Sequence, residues 1–215
     1  MCIRDSVMNS DPVPMYGNDL TLFSLCMECA FDTGYGYIND ALDTAIAEVE
    51  QRISEGRGVL PKGSPKLACH FSPLNVPWID KVFRDNGVNL TLGRMFPPAS
   101  ELIKCVKPGD AYRSAASMCL EAPNNVNMLD EVRMTCEQLD KYPVDGALYG
   151  FFAFDRWIGA LEKIMIREAE ERTGIPHFYL EGDFWNGARF SLDDKLATIR
   201  GICNCLKISG LTAGK

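Results

Sequence analysis

The feature that most restricts how this chain can fold is the alternation, from Lys66 onward, of short apolar segments with longer stretches of helical period. Lys66 to Phe71 reads as a short buried strand, followed by a Pro-bounded loop and a helix from Val76 to Asp85 that Gly87 closes. Val88 to Leu92, rich in β-branched and apolar residues, supplies a second strand. Val144 to Phe152, an apolar run preceded by Pro143, is the central-strand candidate, and Arg156 to Thr173 is a long helix that stops at Gly174. Pro176 to Leu180 is the next strand. Ser191 with Asp194 resembles a capping box, and it starts a final helix through Leu192, Leu196, Ile199 and Ile202 or Cys203. Strands alternating with helices at this spacing predict a three-layer α/β domain, Rossmann-like, with a mostly parallel, doubly wound sheet. Ligands of such sheets sit at the carboxyl ends of the strands, so the loops after Phe71, Gly93, Phe154 and Leu180 are expected to surround a site.

The remaining segments are read more loosely. Residues 1–19, with Pro12, Pro14 and Gly17 and no hydrophobic period, are expected to be an irregular tail, a linker or a segment foreign to the fold, and Met1 to Ser6 reads as non-native. Residues 20–60 form a helical linker region in which Ile38, Leu42, Ala45, Ile46, Val49 and Ile53 mark an amphipathic helix over 38–55, ended by Gly56 and Gly58. Residues 61–215 make up the α/β domain. Met95 to Asn125 is hard to read, with short helices expected around Ala99 to Cys105 and Ala111 to Cys119. Met128 to Leu139 returns to a helical period, capped by Asn127.

Composition excludes several functions. Twenty-two Lys and Arg against 29 Asp and Glu leave a net charge of −7, the wrong sign for binding nucleic acid through its phosphates. The longest uncharged apolar stretch, Gly146 to Phe154, is less than half of the roughly 20 residues a bilayer-spanning helix needs. Met1 to Ser10 carries one Arg and no apolar core, unlike a secretory signal. Nine cysteines in 215 residues fall below the density of a disulfide-stapled secreted scaffold, so a reducing cytoplasm is expected.

The chemistry-bearing residues each have a bland alternative. Cys26 and Cys29 have the spacing of a redox or metal pair, but no second pair matches them, and idle thiols are the alternative. Cys69 and His70 end the first strand where a site loop begins; for Cys69, core packing is the first reading. Cys105, Cys119 and Cys136 are read as core cysteines, and His177 as a packed or hydrogen-bonded histidine. Asp155 and Arg156 follow the central strand directly, which puts a charged pair at its carboxyl end; the alternative is that Asp155 caps the helix behind it. Glu181 and Asp183 end the last strand and suit acid/base chemistry if another group shifts one of them. Phosphate loops of Walker type, G-x-S-x-G and H-E-x-x-H are absent from the sequence.

The string Val144–Trp157 (VDGALYGFFAFDRW), a helix, then Thr173–Asp183 (TGIPHFYLEGD), Phe190-Ser191 and Thr198-Ile199-Arg200 resembles the C-terminal domain of the 2-hydroxyacyl-CoA dehydratase and benzoyl-CoA reductase family. The resemblance spans about Lys66 to Lys207. It implies two flavodoxin-like lobes per subunit, a homologous second subunit in a heterodimer, and a 4Fe-4S cluster held between the lobes by cysteines. It also implies an ATP-dependent activator that supplies one electron to an acyl-CoA substrate, giving a ketyl radical anion from which water can leave. The position of the family's cluster cysteine falls on Asp155, whose hard carboxylate oxygens are poor substitutes for thiolate. With few residues before Lys66 to build a further lobe, the chain reads as a C-terminal fragment or as a subunit with altered cluster binding. Three readings follow: a subunit or fragment of such an enzyme, a lyase; a non-catalytic partner subunit; or an unrelated flavodoxin-like small-ligand-binding domain.

Overall fold

The computed structural model describes residues 3–16, 19, 35–70, 77–93, 104–121, 128–152, 156–182 and 191–213. In chain order the elements are α1 (Ile3–Asn9), α2 (Tyr35–Ser54), β1 (Lys66–His70), α3 (Pro77–Asp85), β2 (Asn89–Gly93), α4 (Ala111–Glu121), α5 (Met128–Lys141), β3 (Gly146–Phe152), α6 (Arg156–Thr173), β4 (His177–Gly182) and α7 (Leu192–Ala213). The four strands form one sheet in the order β2-β1-β3-β4, with every pairing parallel. This is the three-layer, doubly wound α/β architecture expected from the alternating pattern.

The register fixes which ends meet. Leu67 pairs with Gly146 and His70 with Tyr149, while Ala147 pairs with His177 and Phe152 with Gly182. At the other end, Asp145 Oδ2 accepts the Lys66 amide at 2.8 Å, and the Asp145 amide donates to the Lys66 carbonyl at 2.8 Å. That reciprocal pair starts β1 and β3 side by side.

Period-two alternation splits the apolar residues between two layers. Leu67, Cys69, Leu90, Leu148 and Leu180 face Ile79 and Phe83 of α3 and Ile199, Ile202, Cys203 and Leu206 of α7. Ala68, Ala147 and Tyr149 face Val132, Cys136 and Leu139 of α5 and Met165 and Ala169 of α6. At the end of α3, Gly87 adopts φ 75°, and its amide and that of Val88 donate to Arg84 and Phe83 carbonyls, a left-handed closure that turns the chain directly into β2. Ser191 Oγ accepts the Asp194 amide at 3.3 Å, as the capping pattern predicts.

Several boundaries differ from expectation. Within residues 1–19, expected to be irregular, α1 forms and buries Val7 and Met8 completely; Lys66 Nζ then donates to the Ser10 carbonyl at 2.8 Å. Apolar residues separated by polar ones over so short a span carry no readable period, although the fold uses them against α2 and the sheet. The final helix runs on to Ala213, beyond the expected end near Cys203. Cys119, read as a core residue, is exposed, whereas Cys105 and Cys136 are buried. Most of the expected helix Ala99 to Cys105 lies outside the described residues.

Candidate functional site

Strand order locates the site. From β1 the chain winds outward through α3 to β2, then crosses to the other side of β1 and winds through β3, α6 and β4. The winding direction reverses between β1 and β3, and this switch point, outside the carboxyl ends of the strands, is where a ligand crevice is expected in open sheets of this kind.

The predicted residues fall around this crevice unequally. His70 is the last residue of β1, and Arg156 is the first of α6, placed at the carboxyl end of β3 by the short connection between them. Glu181, next to last in β4 and level with Phe151, is exposed. The strand register therefore brings the backbones of His70, Arg156 and Glu181 to one end of the sheet. Asp155, Asp183, Cys26 and Cys29 lie outside the described residues, as does the turn that follows β3.

His177 lies elsewhere, at the start of β4, and is held by packing and hydrogen bonds. Its ring stacks on Tyr149 with centroids 5.5 Å apart, and Nδ1 lies 3.0 Å from the Tyr149 hydroxyl. Thr173 Oγ1 donates to the Ala169 carbonyl at 2.7 Å and stands 3.4 Å from His177 Nε2. The Thr173 hydroxyl proton being committed, Nε2 carries the imidazole proton and Nδ1 accepts from Tyr149. Burial pushes the His177 pKa down to about 4, so the ring is neutral near pH 7.

Asp80, in the first turn of α3, was not signalled by the sequence. It is 5% exposed, and its charge raises the pKa of the buried thiol of Cys69, the next-to-last residue of β1. Asp80 Oδ2 is 3.2 Å from Arg84 Nε, whereas Asp80 Oδ1 is buried with no hydrogen-bond partner among the described residues. Burial raises its pKa; the Arg84 charge opposes this and Asp19 adds to it. An acid four residues before an arginine on a helix is the pattern of a solvated surface pair, which hides such a residue from sequence reading.

The cysteines bear on the cofactor the resemblance implies. A cluster takes thiolates. Burial pushes the Cys69 thiol far up, with Asp80 adding to it, and pushes Cys203 to about 11. Cys136 is also raised by burial, while Cys119 and Cys205 lie exposed on separate helices. Among the described residues no group of three or more His, Cys, Asp and Glu is arranged to hold a metal ion. The described donor set does not fit an iron–sulfur cluster.

The family model of the 2-hydroxyglutaryl-CoA dehydratase D-component matches residues 3–198. The chain belongs to this family. A subunit of the benzoyl-CoA reductase of Thauera aromatica is 27% identical over 154 residues, which cover 67% of this chain and 36% of that protein. The (R)-2-hydroxyisocaproyl-CoA dehydratase alpha subunit of Clostridioides difficile is 28% identical over 179 residues, 81% of this chain and 42% of that protein. The D-component-like chain thus spans about two fifths of the length of these curated relatives. Membership agrees with the resemblance carried by the strings 144–157 and 173–183, and it replaces the reading of an unrelated ligand-binding domain. No described helix is long and apolar enough to cross a membrane.

Proposed function

We propose that this chain is part of a subunit of a 2-hydroxyacyl-CoA dehydratase or benzoyl-CoA reductase-type enzyme. The enzyme carries out radical dehydration or reduction of an acyl-CoA thioester, driven by one electron from an ATP-dependent activator, in the cytoplasm and alongside a homologous second subunit. The observation that carries the reading is the coincidence of the family match over 3–198 with a sheet whose winding reverses between β1 and β3. In this reading the thioester lies across the carboxyl ends of β1, β3 and β4. Asp155 and Arg156 face the reacting end, and His70, Glu181 and Asp183 line the binding surface. Arg156 at the start of α6 suits a carbonyl oxygen that gains negative charge, because its guanidinium stays charged at any working pH.

The full-length protein, purified without oxygen and mixed with its partner subunit, activator, ATP and a reductant, is expected to convert a 2-hydroxyacyl-CoA to the enoyl-CoA. Absence of both conversion and acyl-CoA binding by calorimetry overturns the proposal.

A second reading is a partner subunit that keeps the fold but leaves cluster binding to a homologue. It is supported by Asp155 at the family's cysteine position and by the ill-suited thiols of the described residues. In that case iron assay of the anaerobically reconstituted chain alone gives none, and iron and activity appear on co-purification with a homologous chain. A lone chain that is active with its activator removes this reading.

A further inference from the structure

Helix α4 carries its apolar side outward. Tyr112, Ala116 and Leu120 stand four residues apart and so share one stripe, yet Tyr112 is 92% exposed, Leu120 73%, and Ala116 is exposed with them. The side turned inward holds serines instead, Ser117 being buried and Ser114 half-buried. Local hydrogen bonds tie this orientation to the turn before the helix, where Cys105 is buried. Asp110 Oδ1 caps the helix by accepting the Arg113 amide at 2.9 Å, and Ser114 Oγ accepts the Lys107 amide at 2.8 Å and donates to the Asp110 carbonyl at 2.8 Å. Arg113 and Glu121 are the only charged residues of α4. Of the nine large apolar side chains exposed among the described residues, five (Val106, Tyr112, Met118, Leu120 and Leu129) fall between positions 106 and 129. Apolar exposure concentrated in this way, with an aromatic residue and little charge, is the composition of a permanent interface.

We propose that α4 docks against the part of the subunit that lies outside residues 1–215, with Tyr112 and Leu120 as its buried anchors. The inference rests on the reading of this chain as part of a family subunit, and it names the face which the rest of that subunit covers. Two observations choose this occupant. The stretches that match the relatives make up 36% and 42% of those proteins, so more than half of such a subunit lies beyond them and has surface to offer. An eleven-residue helix is marginal in water unless a packed apolar face supports it, and the side of α4 that this chain buries is polar. Its support therefore has to be present whenever the subunit is folded. A segment of the same chain meets that condition at any protein concentration, whereas a second copy or a separate subunit comes and goes by mass action.

The test uses the full-length subunit by itself, carrying the photoreactive substitution Tyr112→p-benzoylphenylalanine, which keeps an aromatic side chain. Illumination is expected to join position 112 to a peptide of the same chain from outside residues 1–215, in a yield that does not change on dilution. A crosslink only to another copy of the chain, only to the homologous second subunit once that is added, only within residues 1–215, or to nothing at all overturns the proposal. If the variant does not fold, as its melting temperature reports, hydroxyl-radical oxidation of the unmodified subunit decides the matter. An anchor under an interface is desolvated, so Tyr112 is expected to oxidise about fivefold or more slowly in the native monomeric subunit than in urea. A smaller difference overturns the proposal. None of these outcomes bears on butyryl-CoA binding by the same protein, which calorimetry reads separately and which tests the acyl-CoA reading. A natural subunit no longer than residues 1–215 removes the reading of this chain as a part, and this inference with it.

Discussion

Replacing His177 with Gln isolates one histidine's contribution to acid sensitivity. The imidazole is stacked on fully buried Tyr149 and accepts its hydroxyl proton, and burial lowers its pKa from 6.5 to about 4. The unfolded chain therefore takes up the proton more readily than the folded one. The histidine's contribution to stability is complete above about pH 6.5 and is lost as pH falls from there towards about 4. At ~1.36 kcal/mol per pH unit, a depression of this size is worth up to ~3.4 kcal/mol; the ring is only part-buried, and solvent screening brings this to roughly 1–2 kcal/mol. Gln offers a carbonyl in place of Nδ1 and does not titrate. In urea unfolding near neutral pH and again at about pH 4.5, the parent's advantage over His177→Gln is expected to shrink by about 1–2 kcal/mol on acidification. Comparing the two proteins cancels the carboxylates they share. An advantage equal at both pH values would refute the reasoning, since it would mean that the folded environment leaves the imidazole pKa where the unfolded chain has it.

Two further outcomes rest on the core. At Gly146 an added Cβ would stand 3.0 Å from Leu206 Cδ2, 3.1 Å from the Pro176 carbonyl oxygen and 3.3 Å from Leu67 Cδ1. The carbonyl belongs to the backbone and cannot swing aside, so Gly146→Ala is expected to lower stability by about 1–3 kcal/mol, read as a lower melting temperature. Thiol alkylation of the native protein, followed by peptide mapping, is expected to label exposed Cys119 and Cys205 well before Cys69 and Cys203, whose burial keeps them protonated; early labelling of Cys69 would contradict the packing of β1 against α3.

Much of the fold was legible because its signals are local. The Gly87 turn, the Ser191 cap, the apolar run that became β3 and the long period of α6 each depend on neighbours a few residues away. The inward placement of Cys69, Cys136 and Cys203 follows from their positions in elements whose period was clear. Helix α1 was not legible, because Val7 and Met8 are buried by partners far along the chain, with nothing periodic around them. Cys119 was misread for the complementary reason: α4 has an apolar composition, yet Tyr112 is 92% exposed and Leu120 73%, so a hydrophobic count does not say that a layer covers it.

The candidate site divides in the same way. His70, Arg156 and Glu181 were named because they end or follow strands, and in a parallel sheet strand ends converge once the order is known. The motif strings around Val144 and Thr173 carried the resemblance to the family. What the sequence by itself determined is therefore the succession of strands and helices from Lys66 onward, their parallel pairing and the kinship, since each is written in short-range pattern. Only the tertiary structure decided the strand order β2-β1-β3-β4, which places the reversal of winding between β1 and β3, and the burial of Asp80 on α3. Those depend on which distant segments share a layer, and the free energy of bringing them together lies in packed interfaces between residues that the chain itself keeps far apart.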